Sequence, residues 1–156
     1  MTTSRESIVI LMAEDDEDYY LLAKEAFKQF RLLNELRRVE DGEEVMDYLL
    51  RRGKYENPED SPRPGLILLD LNMPKKTGLE ALKEFKSNSD LAQIPVVMLT
   101  ISRDKKDILR SYTLGANSFV TKPLAFNQLV EALSVFKQYW FEIVELPERP
   151  PLDFLK

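Results

Sequence analysis

The chain has 156 residues, a formal net charge of −5, 44% hydrophobic and 31% charged residues, which predicts one globular domain and argues against a nucleic-acid surface. It contains neither cysteine nor histidine, which excludes disulfides, thiolate zinc sites, thiol nucleophiles and a histidine general base. No apolar stretch approaches the roughly 18 residues that span a bilayer, and no signal-peptide layout is present, so a soluble cytoplasmic protein is expected.

Short apolar runs alternate with helical patterns along the chain. Four runs predict buried strands of a parallel sheet, at residues 8–13, 66–69, 96–99 and 118–121. A weaker strand is predicted over residues 34–40, where only two apolar side chains are available for burial.

Five helices are predicted between and after these strands. The first has apolar residues at helical spacing from Leu22 to Phe30, and the second begins at an Asp41 cap and ends at Gly53. A capping box at Thr77 starts the third helix. A short fourth helix carries Ile108, Leu109 and Tyr112, and a long final helix covers residues 125–144.

This alternation predicts an α/β fold with the order (βα) five times, a parallel five-stranded sheet and helices on both faces. The polar residues 54–65 are predicted to form a loop. Residues 1–156 are expected to be a single domain with a core over about 8–137, followed by a helix extension and a proline-rich tail over 138–156.

The four buried runs end in polar residues of different chemical kinds. Glu14 and Asp15 follow the first run, and Asp70, Thr100 and Lys122 follow the others. Because ligands of open α/β sheets bind at the carboxyl ends of the strands, these groups should converge on one rim. The pattern predicts a site for a divalent cation and a transferable phosphoryl group.

The acids at this rim predict a Mg²⁺ site, because close carboxylates must be protonated or neutralised and a hard cation with oxygen ligands does the second. Glu14, Asp15 and Asp70 are the candidate ligands, and Asn72 could add its backbone carbonyl. A carboxylate held on Mg²⁺ can attack phosphorus and form an acyl phosphate, which is the role predicted for Asp70. The acids from Asp16 onward are better explained by the positive end of a helix dipole.

The Thr100 hydroxyl and the Lys122 ammonium are also suited to binding a phosphoryl group. Ser102 is predicted to cap the fourth helix, which leaves the Thr100 hydroxyl free to bind a phosphoryl oxygen. Lys122, beside the acids, can act as a point charge on phosphate.

Together these motifs resemble the receiver domain of two-component response regulators. The matching segments are AEDD (13–16), LLDLNMP (68–74), Gly78, VMLT (97–100) and GANSFVTKP (115–123), in the order and spacing of that family. The resemblance covers most of the chain and implies a flavodoxin-like (βα)5 doubly wound fold.

The resemblance also implies a role for each site residue. Asp70 would accept a phosphoryl group from the phosphohistidine of a sensor histidine kinase. The family roles of the other positions are metal contact for Asp15, metal contact through water for Glu14, a metal-binding carbonyl for Asn72, phosphoryl binding for Thr100 and Lys122, and the aromatic switch for Phe119. Such a protein is a signalling protein rather than an enzyme and assists only its own phosphorylation and dephosphorylation.

A finer similarity is to the single-domain regulators paired with bacterial phytochromes. It rests on RGKYEN (52–57), LNMPKK (71–76) and FKQYWF (136–141). It implies a phytochrome-type kinase, a downstream protein or phosphotransfer partner, no output domain, and a homodimer through the C-terminal helix and the face of the fourth helix and fifth strand. A tail folded back on its own domain remains the alternative. Ile101 departs from the family, because many receivers have a small residue there.

Three other functions are considered. A Mg²⁺-dependent aspartyl phosphohydrolase needs a second carboxylate for the leaving group, and the residue two beyond Asp70 is Asn72. A flavodoxin-like FMN binder needs a Ser/Thr/Gly loop after the first strand, where this chain has three acids. A receiver fold that takes no phosphate and serves as an interaction module is disfavoured because every site position is filled.

Overall fold

One parallel sheet of five strands, in the order β2-β1-β3-β4-β5, forms the centre of the molecule. The structure is a computed structural model and describes residues 8–29, 34–143 and 147. The strands are β1 Val9–Ala13, β2 Leu36–Val39, β3 Pro64–Leu69, β4 Val96–Thr100 and β5 Ser118–Thr121. The helices are α1 Glu17–Gln29, α2 Gly42–Leu50, α3 Gly78–Lys86, α4 Lys105–Thr113 and α5 Phe126–Lys137. The predicted (βα)5 order and the parallel sheet are confirmed.

The sheet register brings the carboxyl ends of the strands to one level. Ala13 pairs with Leu69, which in turn pairs with Met98. The pairing continues past the strand ends, since the Asp70 N–H donates to the Ala13 carbonyl at 3.1 Å. In the same way the Lys122 N–H donates to the Thr100 carbonyl at 2.9 Å. The predicted site residues therefore share one edge of the sheet.

Two apolar layers cover the sheet, because strand side chains alternate between its faces. Leu11, Ile67 and Met98 pack with residues of α2 and α3 on one face, where Leu82 and Phe85 are fully buried. The other face packs against α1 and α5. Full burial of a Leu or Phe side chain contributes about 1.5–3 kcal/mol, so both layers hold the strand ends in place.

Local capping explains where α2 and α3 begin. The Asp41 side chain accepts the Glu44 N–H, and the capping box predicted at Thr77 is present with Glu80. The predicted end of α2 is wrong, since Arg51 adopts the left-handed conformation (φ 56°) that ends the helix. The predicted loop over residues 54–65 includes two 3₁₀ turns, Gly53–Tyr55 and Pro58–Asp60, and its last residues belong to β3, which begins at Pro64.

The fourth helix begins at a different cap from the one predicted. Asp104, rather than Ser102, caps α4 by accepting the Lys106 N–H at 2.8 Å. Two apolar side chains of α4 are exposed, Leu109 to 68% and Tyr112 to 48%, whereas Ile108 is half-buried. The fully buried residue of α4 is Ser111, whose hydroxyl donates to the Asp107 carbonyl at 2.7 Å.

The C-terminal helix continues from α5 into a π-helical turn, Gln138–Ile143. Leu129, Leu133 and Trp140 of the predicted apolar stripe are buried. Predictions about Phe30, Val144 and the tail beyond Pro147 lie outside the described residues. Within the described ranges, no helix has the length and apolar character that crossing a membrane requires.

Candidate functional site

Three carboxylates from separate parts of the sequence meet at the carboxyl edge of the sheet. One oxygen from each of Glu14, Asp15 and Asp70 lies within 4.8 Å of the others. Glu14 and Asp70 are only 1% and 7% exposed, whereas Asp15 faces solvent. Mg²⁺ takes oxygen ligands and is usually held by one or two carboxylates together with waters, which a cluster with one exposed carboxylate can provide. The residues present therefore fit the predicted ion.

Lys122 lies against two of these acids. Its Nζ donates to Asp70 Oδ2 at 2.9 Å and forms an ion pair with Glu14 Oε1. The ammonium also lies 4.5 Å from the centre of the Tyr19 ring, a cation–π distance. One ammonium against three carboxylates leaves the cluster negative, which favours binding of a divalent cation.

Burial affects the pKa values of both Glu14 and Lys122. It raises the pKa of Glu14 to about 7, and the neighbouring Asp70 charge adds to this rise although Lys122 opposes it. Burial alone would lower the pKa of Lys122, but its hydrogen bonds to Glu14 and Asp70 raise it above its ordinary value. Lys122 is therefore a fixed positive charge at neutral pH, whereas Glu14 is close to its titration point.

The loop after Asp70 is held by close backbone contacts. A Cβ at Gly78 would lie 2.0 Å from the Asp70 carbonyl oxygen, and a Cβ at Gly42 would lie 2.0 Å from the Lys76 carbonyl oxygen. The Gly78 N–H also donates to the Leu71 carbonyl at 2.8 Å. Both glycines are therefore needed for close approach, and the loop has little room to move.

Asn72 lies in this loop and is exposed. Its backbone N–H donates to Asp70 Oδ1 at 3.4 Å, a long bond. With Lys122 on Oδ2, both oxygens of the Asp70 carboxylate have a donor from the chain. The carboxylate is thus oriented at the rim before any ligand binds.

Thr100 and Phe119 lie on one face of the sheet. Thr100 is fully buried and pairs in register with Thr121, two residues beyond Phe119. Phe119 is half-buried against the α2/α3 layer, and its N–H donates to the Tyr112 hydroxyl at 3.1 Å. Ile101, directly after Thr100, is 63% exposed.

Two residues that the sequence analysis did not single out also contact the site. Tyr19 packs beside Lys122 and donates its hydroxyl to the Pro123 carbonyl at 3.0 Å. Arg38, on β2, donates to the carbonyls of Glu14 and Asp15. The one sequence signal for Arg38 is a charged residue within a predicted strand, which by itself indicates only an edge strand.

Comparison with known proteins agrees with this geometry. The family model of the response regulator receiver domain matches residues 10–134. The response regulator Rcp1 of Synechocystis is 43% identical over 139 residues, which are 89% of this chain and 92% of that protein.

Solved structures show the same fold. The phosphorylated cyanobacterial phytochrome response regulator RcpA superposes with a TM-score of 0.83 at 39% identity, covering 91% of this chain and 99% of that chain. The Mn²⁺-bound form of Rcp1 superposes with a TM-score of 0.80 at 42% identity, covering 90% and 99% of the two chains. The predicted similarity to phytochrome response regulators is confirmed, and this chain belongs to the response regulator receiver domain family.

Proposed function

We propose that this protein is a phosphorylation-dependent response regulator. Asp70 accepts a phosphoryl group from a sensor histidine kinase in a Mg²⁺-dependent reaction, and the phosphorylated form signals through a changed surface. The observation that carries the proposal is the meeting of Asp70 with Glu14, Asp15 and Lys122 at one rim of the sheet. Receiver-domain response regulators are signalling proteins, and membership of that family supports the same function.

Asp70 is the nucleophile in this proposal. Its carboxylate attacks the phosphorus of a phosphohistidine, an Oδ–P bond forms, the P–N bond breaks, and the leaving imidazole takes up a proton. Lys122 remains beside the attacking group and balances charge on the phosphoryl oxygens. Because the chain has no histidine, the donor is another protein or a small phosphodonor.

The acidic residues have distinct parts in metal binding. Asp15 and Asp70 would contact Mg²⁺ directly, Asn72 would add its carbonyl, and Glu14 would act through water, in keeping with its ion pair to Lys122. Bound Mg²⁺ supplies a Lewis acid that offsets the charge of the incoming phosphoryl oxygens. The exposure of Asp15 leaves a path from solvent to the cluster.

Thr100 and Phe119 form the switch. The phosphoryl group adds roughly −1.5 to −2 charge and three acceptor oxygens at Asp70. The Thr100 hydroxyl donates to one of them and moves toward the site, which makes room for Phe119 to turn inward. The Phe119 backbone N–H donates to the Tyr112 hydroxyl of α4, so the Phe119 side chain turns at a position next to the α4 surface.

The proposed partners are inferred from the family to which the chain belongs and from its exposed apolar side chains. The kinase is of the phytochrome type, in line with the similarity to RcpA, and the downstream partner is a protein or a phosphotransfer protein. Homodimerisation uses α5, its π-helical extension and the α4–β5 face. Exposed apolar side chains on these elements support it, namely Leu109, Tyr112, Val120, Val135 and Tyr139.

The test is incubation with acetyl phosphate and Mg²⁺, followed by intact mass spectrometry. We expect the mass of one phosphoryl group in the wild type, none in Asp70→Asn, and none when EDTA replaces Mg²⁺. Asp18→Asn is the matched control, because it removes an exposed carboxylate of α1 outside the cluster. An unmodified wild type would contradict the proposal and favour a fixed interaction module, and phosphorylation of Asp70→Asn would refute the assigned acceptor. Light scattering on the same samples tests the dimer.

A further inference from the structure

Arg38 joins β2 to the acidic loop that follows β1. We propose that Arg38 is a positioning residue that fixes the backbone of Glu14 and Asp15 and thereby sets the affinity of the carboxylate cluster for Mg²⁺. The inference rests on the proposed function, because it concerns the same metal site. Arg38 acts in this proposal through the loop backbone and not through the metal or the phosphoryl group.

The guanidinium of Arg38 has a partner at each nitrogen. Nε donates to the Glu14 carbonyl at 3.0 Å, and Nη2 donates to the Asp15 carbonyl at 3.2 Å. Nη1 lies 3.1 Å from Glu40 Oε1. One rigid group therefore holds two successive carbonyls of the loop, and those carbonyls belong to the two acids of the cluster.

The fold keeps Arg38 in this position. In the sheet register Arg38 pairs with Met12, two residues before Glu14. Its side chain is 14% exposed and lies on the α1 side of the sheet, where the guanidinium carbon is 5.4 Å from the centre of the Tyr20 ring. Because β2 and α1 both restrain it, the side chain cannot follow the loop if the loop moves.

Asp15 depends on this backbone contact. Its carboxylate has no hydrogen-bond partner in the part of the chain that the structure describes, and it is exposed. Glu14, by contrast, is held by burial, by Lys122 and by its N–H bond to the Val39 carbonyl at 2.9 Å. The direction of the Asp15 carboxylate is therefore set by its own backbone, which Arg38 holds.

The contact requires arginine rather than positive charge alone. A guanidinium offers several N–H donors in one plane, whereas an ammonium is a point donor on a flexible stem. Arg37, the neighbour on β2, has a different set of contacts: Glu35 Oε1 at 2.8 Å and the Asp60 carbonyl at 3.3 Å. It lies on the same strand without touching the acidic loop, which makes it the matched control.

The experiment titrates Mg²⁺ alone into the wild type, Arg38→Met, Arg38→Lys and Arg37→Met by isothermal titration calorimetry. We expect Kd to rise about tenfold in Arg38→Met, since loss of groups that orient metal ligands weakens affinity by roughly 10–100-fold. Arg38→Lys should resemble Arg38→Met, and Arg37→Met should match the wild type. With acetyl phosphate, the Mg²⁺ concentration for half-maximal phosphorylation should rise tenfold while the rate at saturating Mg²⁺ stays within about twofold.

Several results would overturn the inference. A Kd within twofold of wild type in folded Arg38→Met would do so, as would full recovery of affinity in Arg38→Lys. If Arg38→Met does not fold, Tyr20→Leu removes the aromatic ring beside the guanidinium and should raise Kd in the same direction by a smaller factor; an unchanged Kd there counts against the inference. A wild type that binds no Mg²⁺ contradicts the proposed function instead, so the two failures are distinguishable.

Discussion

Replacement of Gly78 by alanine should strongly lower the rate of phosphorylation and lower the stability of the fold only moderately. Gly78 begins α3, and a Cβ there would lie 2.0 Å from the Asp70 carbonyl oxygen, 2.9 Å from the Asp70 carbonyl carbon and 3.0 Å from the Leu71 Cα. All three are backbone atoms, so no side-chain rotation can relieve the overlap. The backbone of Asp70, the proposed phosphoacceptor, must therefore move.

The size of that movement follows from ordinary contact distances. Non-bonded heavy atoms prefer separations of about 3.5–4.0 Å, so Asp70 and α3 must separate by more than about 1 Å. A misplacement of about 1 Å can reduce the rate of a positioned reaction by about 10²-fold. Overpacking of this kind costs about 1–3 kcal/mol, which lowers Tm by roughly 2–12 °C in a chain of this size.

The assay compares Gly78→Ala with Gly53→Ala. Gly53 has a positive φ of 59°, but nothing lies within 4 Å of its Cβ position. The control therefore carries a strain of about 1–2 kcal/mol without displacing Asp70. The initial rate of phosphorylation by acetyl phosphate, read by intact mass, should fall about 100-fold in Gly78→Ala and remain at the wild-type level in Gly53→Ala. A wild-type rate and Tm in Gly78→Ala would refute the reasoning.

Two further substitutions test groups outside the site. Burial alone would raise the pKa of Glu44, but hydrogen bonds from Lys54, a backbone N–H and Tyr55 hold it below its ordinary value. Its stabilisation is therefore present above the unfolded pKa of 4.5 and lost as pH falls through the folded value. In urea unfolding at pH 7, Glu44→Gln should be less stable than the wild type by about 1–2 kcal/mol. This difference in the free energy of unfolding should disappear below about pH 4, and a difference that does not depend on pH would contradict the prediction. The Lys86 ammonium donates to the Ala92 and Ile94 carbonyls before β4 at 2.8 and 2.9 Å, so Lys86→Met should lower the free energy of unfolding by about 1–3 kcal/mol. Lys83 is exposed on the same helix, and Lys83→Met should change that free energy by less than about 0.5 kcal/mol. Equal losses of stability in the two variants would count against this prediction.

Features that depend on neighbouring residues were predictable. The Asp41 and Thr77 caps act within one helical turn, and both appear where the sequence indicates. The C-terminal end of α2 and the start of α4 were less predictable. Several polar residues near α4 can accept the same N–H groups, and Ser102 is drawn instead into a hydrogen bond with Asp107 Oδ2 at 2.7 Å.

Features that depend on packing against another element were not predictable. The apolar residues of α4 have helical spacing, but the way α4 meets the sheet leaves Leu109 and Tyr112 exposed. The contact of Arg38 with the acidic loop depends on the register of β2 with β1. No local pattern encodes that register, because it is set by the crossover connection and by the packing of α1.

The sequence by itself determined which chemical groups stand at the strand ends, since short apolar runs and the polar residues that end them are local properties of the chain. Only the tertiary structure decided how those groups meet: Lys122 between Glu14 and Asp70, and Glu14 buried so that its pKa rises to about 7. The reason is that distances between strand ends, and the exclusion of water from them, come from strand order and from the two helical layers. Both are long-range properties that exist only once the whole sheet has formed.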